Sequence, residues 1–204
     1  MQLRFDDTPP EDSPSPPSLS ALAHIRLLAM DVDGVLTDGT LGYSSDGSET
    51  KRFHVHDGLG LTLLASLGIQ IAWISGRANP AVERRARELG VGLLMQGVRD
   101  KQGALEQLAQ TAGVPREEIA YIGDDWNDLL AFAACGFRIA VADARPEVRE
   151  QADFITVASG GAGAVREVCD ALLDAREIRE QVLMDYLTSL RTGVKPTGSA
   201  LGNQ

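Results

Sequence analysis

Cysteine is scarce. Cys135 and Cys169 stand far apart with no Cys-x-x-Cys spacing, which argues against a disulfide framework or a thiolate metal site. They read as buried free thiols of a reducing compartment. Long apolar runs are missing too, and no stretch reaches the roughly 20 residues that a membrane span needs. Positive charge is in deficit, with 19 Lys and Arg against 29 Asp and Glu and a net charge of −10. That excludes nonspecific binding to nucleic acid or to anionic lipid, and any anionic substrate must be gripped by a local cationic site. The N-terminus lacks a basic-then-apolar signal pattern, so the cytoplasm is the expected location.

What is present fits one globular domain. The 204 residues are 44% hydrophobic and 24% charged, ordinary for a packed core. Residues 1–20 carry Pro9, Pro10, Pro14, Pro16 and Pro17 among Ser and Asp, and are expected to form a disordered tail. Residues 191–204 are expected to form a flexible one, leaving the domain at 21–190. Between them, short apolar runs alternate with amphipathic segments. Strands are expected at Ile25–Met30, Ile69–Ile74, Leu93–Met95, Ile119–Ile122, Phe137–Val141 and Phe154–Thr156. Thr40–Tyr43 and Thr50–Val55 read as a hairpin around Ser44–Ser48. Helices are expected at Leu59–Leu67, Pro80–Leu89, Asp100–Thr111, Asp125–Ala134, Glu147–Gln151 and Val165–Leu190. This alternation implies an α/β fold with a Rossmann-like, doubly wound, mostly parallel sheet, whose ligands sit beyond the carboxyl ends of the strands.

Four signals fall at those ends. Asp31 and Asp33 close the first strand, where two neighbouring carboxylates need a cation or a shared proton, or else a solvated turn. Ser75 and Gly76 close the next, offering a hydroxyl and backbone amides to a phosphate, or making a plain turn. Lys101 stands near a helix start, where the dipole disfavours a cation, so it needs an anion or points into water. Asp124, Asp125 and Asp128 crowd the start of a further helix, as caps or as oxygen ligands for a hard divalent ion such as magnesium. His54 and His56, at i and i+2, point the same way if they lie on a strand, but no third ligand is evident nearby for a transition metal.

The order Asp-x-Asp, Ser, Lys, Gly-Asp-Asp-x-x-Asp resembles the haloacid dehalogenase-like superfamily of phosphotransferases, over about Ile25 to Leu173. The resemblance implies Asp31 as nucleophile and Asp33 as general acid and base. It implies Ser75 and Lys101 as phosphate clamps, and Asp31, Asp33 (through its carbonyl) and Asp124 as ligands of Mg2+. Asp125 and Asp128 would be supporting acids. The segment from Asp38 to Asp57 has room only for a small β-hairpin flap, and that from Ser75 to Lys101 for one helix and one strand, so no large cap domain is expected. Neighbouring subunits would then complete the pocket.

A second set of residues is similar to the capless 3-deoxy-D-manno-octulosonate 8-phosphate phosphatase subfamily. It comprises Val35–Gly39, Phe53–Gly58, Ile74–Arg77, Glu83–Arg85, Gln96-Gly97, Lys101, Gly123–Asp125, Val141–Ala144 and Gly163–Asp170. That resemblance implies a homotetramer acting in lipopolysaccharide sugar synthesis. Substrate contacts would come from Asp33, His54, Val55, His56, Asp57, Gly58, Arg77, Arg85 and Lys101. Arg77 and Arg85, eight apart, could share one helical face, or simply be solvated. Thr62 and Ala162 stand where family members often carry a cation, which leaves a nonulosonate 9-phosphate or another small phosphate as alternative substrates. The rivals from other classes are a phospho-acceptor signalling domain and a noncatalytic scaffold.

Overall fold

The computed structural model describes residues 19–193, and the disordered and flexible tails expected at the two ends lie, over 1–18 and 194–204, outside the described residues. A short 3-10 helix, Leu19–His24, comes first, so Leu19 and Ser20 start the domain rather than end the tail. The strands are β1 (Leu27–Met30), β2 (Gly42–Tyr43), β3 (Glu49–Thr50), β4 (Gln70–Ser75), β5 (Leu93–Gln96), β6 (Ile119–Gly123), β7 (Phe137–Ala140) and β8 (Phe154–Ile155). The helices are α1 (Val55–Ser66), α2 (Pro80–Leu89), α3 (Lys101–Ala112), α4 (Asp128–Phe132), α5 (Pro146–Gln151), α6 (Ala164–Ala175) and α7 (Arg179–Thr192).

The main sheet runs β5-β4-β1-β6-β7-β8, and every pairing in it is parallel. Parallel strands are joined by crossover helices. α1 packs on α6 and α2, while α4 packs on α3 and α5, so two helical layers bury the sheet. β1 is wholly buried, as its unbroken apolar run requires. Because β1 lies between β4 and β6, the residues just after it occupy the middle of the carboxyl edge.

Local chemistry sets the helix ends. Asn79 caps α2 by accepting from Ala81 N at 2.8 Å, and Asp100 caps α3 by accepting from Gly103 N at 3.0 Å. Gly90 and Gly113 close the same helices in the left-handed conformation.

Three elements depart from the sequence reading. Thr50–Val55 is not a strand: only Glu49–Thr50 pairs, and α1 begins at Val55. Phe53 turns inward to stack on Trp73, with ring centroids 6.4 Å apart, which draws the chain off the two-stranded ribbon. Asp125–Ala134 shrinks to Asp128–Phe132, because the Asp128 carboxylate folds back to accept from the amides of Asp124 and Asp125. Val165–Leu190 splits into α6 and α7 at Glu177, whose φ is 58°. Just before that break, Arg176 donates to the carbonyls of Ala23 and Ile25, which anchors the end of α6 to the 3-10 helix segment. No helix among the described residues is long and apolar enough to cross a membrane. Cys135 and Cys169 are buried free thiols.

Candidate active site

Asp31 follows β1 directly, and its Oδ1 accepts from Val32 N at 2.7 Å. Its other oxygen lies 2.8 Å from Lys101 Nζ. Lys101, the first residue of α3, is fully buried and also donates to Asp128 Oδ1 at 2.6 Å. The anions that a cation at a helix start requires are therefore Asp31 and Asp128. Asp128 is saturated in turn: Tyr121 Oη donates to Oδ1 at 2.8 Å, and the amides of Asp124 and Asp125 donate to Oδ2 at 2.9 and 3.2 Å.

Asp124 closes β6 beside this cluster. Its Oδ1 is buried with no hydrogen-bond partner. Burial, then Asp128 and Asp31, push the Asp124 carboxyl up to about 8. Burial and Asp128 push Asp31 up to about 7, against the opposing pull of Lys101. Two acids that resist ionising, beside a single ammonium, form a cleft short of positive charge. Asp31, Asp124 and Asp128 each offer a carboxylate oxygen, all within 4.8 Å of one another. Gly34 lets the loop pass over them: with φ at 94°, a Cβ there would lie 2.1 Å from Asp124 Oδ2.

Ser75 ends β4, the strand that pairs with β1. It is buried, and its Oγ accepts from Arg77 N at 3.1 Å. Asp125 is exposed, and its carboxylate accepts from Trp126 N at 2.8 Å, so its side chain stays out of the carboxylate cluster while its amide serves Asp128. The Asp33 carboxylate leaves the cluster too and pairs with Lys51.

The remaining substrate candidates are spread out. Arg77 does not share a helical face with Arg85, because α2 starts only at Pro80. It reaches Glu49 Oε2 at 2.8 Å. Arg85 lies against Gly58, where a Cβ would come within 2.3 Å of its Nη2, and donates to Glu88 at 3.4 Å. His54 caps α1 and His56 sits in its first turn, with rings in edge contact at 4.9 Å, so they are not alternate residues of a strand. His54 Nδ1 is buried and unpartnered. Val55 is exposed. Asp57 is buried, and its Oδ1 accepts from Arg166 N at 2.8 Å, tying α1 to the start of α6. Thr62 Oγ1 donates to Gly58 O at 2.9 Å, while Ala162 lines a cavity with His54, His56 and Arg166.

With this arrangement in view, residues 93–167 match the haloacid dehalogenase-like hydrolases. The chain is 47% identical over 155 residues to the 3-deoxy-D-manno-octulosonate 8-phosphate phosphatase of Haemophilus influenzae, covering 76% of this chain and 86% of that one. The chain belongs to the 3-deoxy-D-manno-octulosonate 8-phosphate phosphatase family. The Salmonella typhimurium member is 42% identical over 79% of this chain and 86% of its own. The Moraxella catarrhalis enzyme, solved in complex with a magnesium ion, a phosphate ion and a KDO molecule, superposes with a TM-score of 0.80. It is 45% identical, covering 82% of this chain and 97% of that one. The cobalt-bound Haemophilus influenzae enzyme gives a TM-score of 0.77 at 44% identity, covering 80% and 99%.

Membership of a phosphatase family makes this chain a phosphoric monoester hydrolase of α/β fold. The carboxylate cluster fits a hard divalent cation: its donors are oxygens, and Asp124 Oδ1 is a buried acceptor with nothing to accept. Lys51 and Glu49 escaped the sequence reading. The signal for them was weak, an acid and a base two residues apart in a hairpin, and only the fold brings them to Asp33 and Arg77.

Proposed function

We propose that this chain hydrolyses 3-deoxy-D-manno-octulosonate 8-phosphate, supplying the free acid sugar for lipopolysaccharide synthesis in the cytoplasm, with magnesium as cofactor. The observation that carries the reading is Asp31 at the end of the central strand, 2.8 Å from a fully buried Lys101 and beside the unpartnered Asp124 Oδ1. The family relationship supports the substrate class.

In this reading an Asp31 oxygen attacks phosphorus, the ester oxygen leaves, and an aspartyl-phosphate forms on Asp31. Lys101 and the Ser75 hydroxyl hold the phosphoryl oxygens and offset the repulsion between two anions. Asp33 gives a proton to the departing sugar oxygen, then takes one from the water that cleaves the acyl phosphate. Asp31, Asp124 and the Asp33 carbonyl would hold magnesium, which supplies the positive charge this cleft lacks. Asp128 fixes Lys101, and the Asp125 amide fixes Asp128.

The face around Arg77, Arg85 and His54–Gly58 would receive the acid sugar. The flap is only two residues deep on each strand, so a homotetramer in which subunits complete one another's sites follows from the same reading. Two observations leave a nonulosonate 9-phosphate or another small phosphate as the second reading. Thr62 and Ala162 bring no cation to this face, and Arg166 in the same cavity is already paired to Asp170 at 2.8 Å.

Phosphate release from a panel of sugar phosphates, with and without magnesium, tests both readings. A preference of about tenfold or more in kcat/KM for the octulosonate ester supports the first. A matching preference for a nonulosonate ester selects the second, and absence of hydrolysis throughout would leave a phospho-acceptor or scaffold role.

A further inference from the structure

Lys51 is unusual among the lysines of a hairpin because its side chain is 1% exposed. Burying an ammonium is costly unless anions surround it. Here two do: the Asp33 carboxylate, which it contacts through Oδ1, and Glu49 Oε1 at 3.2 Å. Glu49 passes the connection on, its second oxygen accepting from Arg77 at 2.8 Å. One chain of charges, buried at Lys51 and open to water at Arg77, thus joins the loop after β1, the β2–β3 hairpin and the loop after β4.

Asp33 depends on this link. Its side chain is 19% exposed, and among the described residues its one side-chain hydrogen bond comes from Lys51. The hairpin itself does not need Lys51 as its only anchor, because Glu49–Arg77 and Arg52–Asp38 also fasten it, each at 2.8 Å. Lys51 is therefore better explained by what it does to Asp33 than by holding the flap.

We propose that Lys51 is a positioning residue, which fixes the Asp33 carboxyl group in register with the ester oxygen that leaves. The inference rests on Asp33 being the proton donor of the proposed reaction. Loss of Lys51 frees the Asp33 side chain to rotate, and proton delivery falls with the fraction of time it spends in line.

The test uses the leaving group. An alkyl alcoholate is a poor leaving group and needs the donor, whereas a nitrophenolate leaves without one. Because kcat/KM reports only steps up to the first irreversible one, departure of the alcohol, later hydrolysis of the acyl phosphate does not enter. A small alkyl phosphate and an aryl phosphate, neither carrying an acid-sugar group, are assayed on the full magnesium-loaded chain. For Lys51→Met, kcat/KM on the alkyl ester is expected to fall about 30-fold and on the aryl ester less than about threefold, a fraction of what a general acid contributes. Equal losses on both esters, or no loss on either, overturn the proposal. Lys51→Gln, one atom shorter and uncharged but still a donor, serves should the Met variant fail to fold: its loss on the alkyl ester is expected to be smaller than about 30-fold yet still to exceed its loss on the aryl ester, and equal losses on both overturn the proposal. Asp33→Asn separates the two layers. If it shows no leaving-group dependence, the donor assignment fails. If it does and the Lys51 variants do not, only the role of Lys51 falls.

Discussion

Asp31 and Lys101 divide the labour of the site, and each substitution has its own signature. Asp31→Asn keeps size but removes the charge and one of the two acceptor oxygens, and with them the oxygen proposed to attack. Turnover is expected to drop at least ~10⁴-fold in a phosphate-release assay, with an unchanged circular dichroism spectrum. Lys101→Met instead strands two carboxylates around a buried apolar chain, and is expected to cost about 3–5 kcal/mol of stability in urea unfolding as well as activity. Both residues were legible in the sequence only through the motif order that resembles the superfamily, since alone Asp31 could have closed a solvated turn and Lys101 could have pointed into water. Lys51 was not legible: an exposed hairpin lysine and a buried one look alike in sequence, and only the tertiary path to Asp33 distinguishes them. Arg77 and Arg85 were misplaced for a related reason. A spacing of eight means a shared face only inside one helix, and Pro80 with its Asn79 cap starts α2 after Arg77.

The loops over the carboxyl edge behave as a packed layer. Residues 159–163 lie on the loop after β1, where Gly161 N donates to Val35 O at 2.9 Å. A Cβ on Gly160 would sit 1.7 Å from Gly34 O, against backbone that cannot rotate away. Gly160→Ala is therefore expected to cost ~1–3 kcal/mol by overpacking and to weaken magnesium affinity by moving Gly34 off Asp124. Thermal melts and a magnesium titration of activity check the two effects. The parallel strands were accessible from apolar runs alternating with capped helices, whereas their order in the sheet came only from the structure. Element ends were not, where side chains overrode the periodicity. Asp128 captures two amides and shortens α4, Phe53 leaves the ribbon for Trp73, and Glu177 takes a left-handed φ between α6 and α7.

Across the molecule, the acidic cleft couples ion binding to pH. Asp31 and Asp124 have folded-state pKa values near 7 and 8, above the 3.8 of the free side chain. The folded protein thus binds protons that the unfolded chain has already lost, so stability is greatest below about pH 4 for these two groups and declines as pH rises through 7 to 8. Without magnesium, Tm is expected to fall by roughly 5 °C or more from about pH 5 to about pH 8. Saturating magnesium should flatten that slope, because the cation then holds both groups ionised. Scanning calorimetry at several pH values with a chelator decides it. Light scattering after gel filtration is expected to give a multi-subunit particle, as an open flap and exposed Leu183, Leu187 and Leu190 on α7 suggest.

The sheet order also dictates when the enzyme comes into being. β1 is the first strand in the chain, yet Leu27 lies beside Ile119 on β6 as well as beside Gln70 on β4. During translation Asp31 emerges early and waits for a neighbour made much later, a long loop closure that slows folding. A ribosome-released fragment ending before Ile119 would carry Asp31 and Lys101 but no strand to shield one flank of β1, and no Asp124 or Asp128. The carboxylate cluster of Asp31, Asp124 and Asp128 is thus complete only once one short segment past the middle of the chain has been made.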